Sequence, residues 1–160
     1  MSDITIITAE EGEALAAKYL DTLVTGFATN SFEHQKPMMA DEIAWDWSGD
    51  VKGSGPNEDF YGVMAGSWQA VVSQFMPSNV FVVTDSAKGI IIVTFEIALV
   101  MDGRGAVPIT AEQCFQGKNM FELHVNAEHK ITMFRGLWDP NNAKMGAAMG
   151  NVMAAFGAAK

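Results

Sequence analysis

Glu42-Ile43-Ala44-Trp45-Asp46-Trp47-Ser48 alternates at every step: Ile43, Trp45 and Trp47 fall on one side of an extended chain, and Ala44, Asp46 and Ser48 on the other. One strand face is therefore heavily aromatic, while the other carries a single carboxylate. Upstream lies a helix: Thr8 and Glu11 have capping-box spacing, Leu15, Tyr19, Leu23 and Phe27 recur on one face, and Gly26 stands near the end. A short second helix is predicted from about Asn30 or Ser31, with Glu33 in its first turn and a break at Pro37. Downstream, Gly49 to Pro56 reads as a loop. A third helix follows, capped by Asn57, with Glu58 and Asp59 in its first turn, a buried stripe of Phe60, Met64, Val71 and Phe75, and a stop at Pro77.

From Val80 the pattern changes. Val80 to Thr84, Gly89 to Met101, Ile109 to Val125 and Lys130 to Asp139 are four β-rich runs. Asp102-Gly103 and the polar stretch Asn126 to Lys130 mark turns, which favours antiparallel pairing. Helices first and a meander afterwards predict an α+β domain over residues 1–140, with the N-terminal helices packed over a curved antiparallel sheet. Residues 141–160 form an Ala/Gly/Met-rich tail with Met145, Met149, Val152, Met153 and Phe156 at helical spacing, expected to dock on the sheet or on a partner subunit.

The chain has 160 residues, enough for one core, and its apolar content of 49% is that of a globular protein. Nineteen acids against ten Lys and Arg give a formal charge of −9, which disfavours nucleic acid because few cations are present to displace counterions. Interrupting Gly and Asn and the terminal Lys160 make the tail a poor membrane span. The lone Cys114 cannot form an internal disulfide, and Met1 to Thr8 lacks the pattern of a secretory signal, so a cytoplasmic setting is the default expectation.

No nucleotide-binding or nucleophile-elbow motif occurs. His34, His124 and His129 are too scattered for ligand spacing, so neither metal nor cofactor is expected. Cys114 lacks a neighbouring His and reads as an inert thiol. The informative residues are Tyr19, Asp46 and Trp138, borne on three elements that could converge beneath the helices. A helix-borne phenol can donate to a developing oxyanion, and an Asp at the mouth of an apolar pocket can accept a proton. The plainer alternative makes Tyr19 and Trp138 packing residues and Asp46 an outward carboxylate.

Several stretches resemble the SnoaL-like and ketosteroid-isomerase-like branch of the nuclear-transport-factor-2-like superfamily. Ala17-Lys18-Tyr19-Leu20 is similar to the helix segment bearing the oxyanion-hole Tyr of those isomerases, and Asp41 to Asp46 is similar to the strand ending in their general-base Asp. Lys130 to Trp138 resembles their last strand, whose Trp lines the pocket. The resemblance implies a cone-shaped fold, Tyr19 and Asp46 as catalytic pair, and walls from Phe95, Ile97, Phe121 and Trp138, to which strand alternation adds Val93 and Leu99. The isomerases' second, carboxylic acid donor is matched here by Phe121, so it is missing; Asn119 on the same face is a weak substitute.

Which face of the Glu42–Ser48 strand points inward decides between two readings. With Asp46 inward, the protein is a cofactor-independent enzyme that abstracts a proton beside the carbonyl of a small apolar compound. Isomerase, cyclase and dehydratase chemistry all fit. Trp45, Trp47, Arg135 and Leu137 then form the outer sheet face and a homodimer surface. With the strand reversed, both indoles enter the cavity, no base remains there, and a non-catalytic binding or assembly domain follows.

Overall fold

The computed structural model describes residues 4–47, 51–64, 68–137 and 142–159. Helix α1, Ala9–Thr29, starts at the predicted capping box, with the Thr8 side chain accepting from the Glu11 amide and the Glu11 carboxylate accepting from the Thr8 amide. It ends where Asn30 adopts a left-handed conformation and its amide donates to the Gly26 carbonyl. A 3₁₀ turn, Glu33–Met38, containing Pro37 takes the place of the short second helix.

Strand β1, Met39–Trp47, is followed by β2, Val51–Pro56. The stretch expected to be a loop is thus an edge strand, paired antiparallel to β1 with Trp45 opposite Gly53. A side chain at Gly53 would start 2.3 Å from the Trp45 ring, so the bare backbone makes room for the indole. Helix α2, Asn57–Met64, is shorter than expected. Val71 lies in a turn, and Phe75 belongs to β3, Gln74–Asp85, opposite Leu99. Pro77 sits within β3 without a helix to stop, because β3 is an edge strand and can lack one amide donor.

The meander continues through β4, Ile90–Val100, β5, Cys114–Val125, and β6, Ile131–Leu137. The sheet runs in the order β2-β1-β6-β5-β4-β3, antiparallel except for the parallel β1–β6 pair. It is curved and open, with helices against its concave face, as the element order predicted. Asp102-Gly103 opens a longer connection between β4 and β5 rather than a two-residue turn, whereas Asn126 closes the β5–β6 turn by accepting from the Glu128 and Lys130 amides.

The inner face carries the core. Val93, Phe95, Ile97 and Leu99 of β4, Phe121 and Leu123 of β5, and Phe134 of β6 meet Tyr19, Leu23 and Phe27 of α1. Helix α3, Ala143–Ala158, buries Met145, Ala148 and Val152. It is held by Gln113, which donates to the Ala148 carbonyl and accepts from Asn151. Met153, expected on the same stripe, is exposed. Among the described residues no helix is long and apolar enough to cross a membrane.

Candidate functional site

Between α1, the sheet and the start of α3 lies a cavity of about 180 Å³. Tyr19, Leu23 and Phe27 line it from α1, and Trp47, Phe121, Phe134 and Gly136 line it from the sheet. Phe75, Ile97 and Leu99 close another wall, while Asn119, Asn142 and Met145 bound it toward α3. Gly136 leaves the floor open: a side chain there would start 3.2 Å from the Phe134 ring and 3.7 Å from Trp47. Arg104 braces the frame from outside, donating to the carbonyls of Gln69, Phe27 and Val72 and so tying the β4–β5 connection to the end of α1.

Tyr19 is 1% exposed, its ring 5.9 Å from Phe121 and 5.8 Å from Phe134. Its hydroxyl has no hydrogen-bond partner among the described residues. Burial, with the phenol of Tyr61 as a lesser cause, holds its pKa well above the ordinary value, so it is a neutral donor at every physiological pH. The Trp47 indole N–H is likewise buried and without a partner among the described residues, and its ring packs against Phe134 at 5.8 Å and against Phe60 at 6.2 Å.

Asp46 does not join them. The parallel register places Trp45 beside Phe134, Asp46 beside Arg135 and Trp47 beside Gly136. The indoles therefore turn toward Phe60 and the core, and Asp46 turns to the opposite face of the sheet. There its carboxylate lies 3.4 Å from Arg135 and 3.7 Å from Lys52. Arg135 also holds Glu122 at 3.1 Å, and Glu122 meets His124 at 2.6 Å. The expectation that Asp46 faces Tyr19 is thereby corrected, as is the assignment of Trp45 and Trp47 to an outer surface. The physical reason is plain: two large indoles gain several kcal/mol by leaving water, about 1.5–3 for each large apolar side chain, whereas one carboxylate is better placed beside two cations.

Of the other expected wall residues, Ile97, Leu99, Asn119 and Phe121 line the cavity. Val93 and Phe95 share their face but lie in the core beyond it, Phe95 packing on Phe121 at 4.9 Å. Asn119 accepts from the amide of Met120 through its side-chain oxygen. Trp138 lies outside the described residues. Arg135 and Leu137 are on the outer face with Asp46, and not with Trp45 and Trp47 as expected. Sequence reasoning passed over Phe115, Trp68 and Met145 as cavity residues; alternation backward from Phe121 along β5 points to Phe115.

No protein-family model matches the chain, and no curated protein matches it. Solved structures do. PrhC from Penicillium brasilianum NBRC 6234 superposes with a TM-score of 0.67 at 14% identity, over 94% of this chain and 93% of that one. An NTF2-like protein from Anabaena variabilis ATCC 29413 gives 0.64 at 12%, over 84% and 94%. A candidate polyketide cyclase from Pseudomonas putida KT2440 gives 0.62 at 10%, over 88% and 98%. The chain thus has the NTF2-like fold; at these identities the likeness speaks for the fold alone.

Proposed function

We propose that this NTF2-like chain binds a compact, largely apolar small molecule in the cavity above β5 and β6, with Tyr19 donating a hydrogen bond to it. The single observation behind the reading is a fully buried phenol without a partner among the described residues, on the wall of a largely apolar cavity. Leaving a buried donor unpaired costs about 1–3 kcal/mol, which an acceptor on a ligand would recover. The size suits a substituted ring, since an engineered cavity of about 150 Å³ already holds benzene. The resemblance of fold to a candidate polyketide cyclase supports a small-molecule role of this kind.

Proton abstraction beside a carbonyl needs a base at the ligand, and Asp46 is across the sheet from it. Binding is therefore the stronger reading, and Tyr19 is a donor in either case. We read residues 1–140 as the ligand-holding domain and 141–160 as a docked appendage. A cytoplasmic setting remains part of this reading, resting on the lone Cys114.

The outer face of the sheet supports a homodimer. Phe81 is 65% exposed on it, with Val83 and Leu137 nearby in register. Several of its acids have bases beside them: Asp46 and Glu122 with Arg135, and Glu96 opposite Lys118. In a chain of charge −9, such a face is where a second copy meets least repulsion. Phe81→Asp should leave the fold intact and convert a dimer to a monomer in sedimentation equilibrium; an unchanged mass contradicts the interface.

Calorimetric titration with ethylbenzene tests the cavity itself. Gly136→Val, which fills the floor, should weaken binding at least tenfold while the circular dichroism spectrum is kept. Equal binding by this variant would place the ligand elsewhere.

A further inference from the structure

We infer that Trp47 supplies a second hydrogen-bond donor to the ligand, and that the ligand class is a ring-bearing carbonyl compound; this deepens the cavity reading above and rests on it. Three observations carry it. The indole N–H of Trp47 and the hydroxyl of Tyr19 are both buried and both lack a partner among the described residues. Both residues line the same cavity, Tyr19 from α1 and Trp47 from the sheet, and both rings pack against Phe134 at 5.8 Å, so one ligand in that cavity has both donors on its walls. An indole N–H can only donate, so its counterpart must be an acceptor.

The rest of the lining narrows the class. Among the described residues, no Asp, Glu or His lines the cavity, so nothing there balances an amine cation. Of the side-chain amides, Asn119 spends its oxygen on the Met120 amide, and Asn142 spends its oxygen capping α3 at Lys144 and Met145. Side-chain acceptors for an alcohol or amine are therefore few among the described residues, the Tyr19 oxygen being the one still open, while two donors are spare. A carbonyl oxygen has two lone pairs and can take two donors. The rings of Phe27, Phe75, Phe115, Phe121 and Phe134 offer edges and faces to a planar ring.

Acetophenone and ethylbenzene make the test, because they share shape and differ in the acceptor. Calorimetry on the wild-type protein should show acetophenone bound roughly tenfold more tightly, as two modest buried hydrogen bonds predict. The carbonyl infrared band should move to lower wavenumber on binding. In Trp47→Phe the preference should fall several-fold and the band should move part of the way back, with ethylbenzene affinity held within about twofold. A second measurement needs no variant: with acetophenone, and not with ethylbenzene, the Trp47 indole proton resonance should move to lower field.

An unchanged preference and band in Trp47→Phe, or an indole resonance indifferent to acetophenone, overturns the second donor. Equal wild-type affinity for the two probes overturns the carbonyl class while leaving the cavity reading in place. Failure of both probes to bind ends both.

Discussion

The two faces of the sheet at β1 and β6 differ by one residue of register in every respect that matters. On the inner face, Trp45, Trp47 and Phe134 pack beneath α1 and α2 beside a cavity in whose lining two donors, the Tyr19 hydroxyl and the Trp47 indole N–H, lack a partner among the described residues. On the outer face, Asp46, Arg135, Glu122 and His124 are paired with one another within reach of solvent. Among the described residues, the outer-face groups are thus paired, whereas these two inner-face donors are not. A folded chain tolerates a buried orphan donor only at a cost, so the inner face is the one with an occupant to explain.

The largest effect should come from breaking the inner face at its centre. Phe134 touches Tyr19, Trp47, Phe60 and Phe121, so Phe134→Ala should destabilise the fold by about 3–5 kcal/mol in urea unfolding. A loss under about 1 kcal/mol would mean that the aromatic cluster is not a packed unit. Next comes the side of Trp45. Gly53→Ala brings a methyl group into the indole and should cost about 1–3 kcal/mol; no cost would mean that Trp45 does not lie over β2.

The outer face should respond weakly and with pH. The His124 hydrogen bond, and then the charge of Arg135, hold the Glu122 carboxyl below its ordinary value of 4.5, against some opposition from burial. A depressed folded-state pKa adds stability that is complete above the unfolded value and is lost as pH falls through the folded one. The melting-temperature gap between wild type and Glu122→Gln should therefore shrink as pH falls from about 6 to about 3. A gap that widens on acidification would contradict this pairing.

Much of this was legible in the chain. The capping box at Thr8, the inward stripe through Tyr19 and the succession of strands after Val80 rest on local periodicity, and each is found. Two elements went astray because tertiary pairing outranked local pattern: Val51–Pro56 became a strand despite its Gly and Ser, and Phe75 was drawn from a helical stripe into β3 by Leu99. Strand alternation separated Asp46 from its two Trp neighbours but could not say which side was inside. Family resemblance put Asp46 in the pocket; burial of two indoles put it out. The small residues Gly53 and Gly136, opposite Trp45 and Trp47, were the signal in the sequence that these rings need space beside them.

The most direct test is a paired titration with acetophenone of Tyr19→Phe and Asp46→Asn. Loss of the phenol should weaken binding several-fold, as removal of one buried hydrogen bond does, while Asp46→Asn should stay within about twofold of wild type. Binding abolished in Asp46→Asn and unchanged in Tyr19→Phe would contradict the account, because it would put the ligand on the charged face of the sheet.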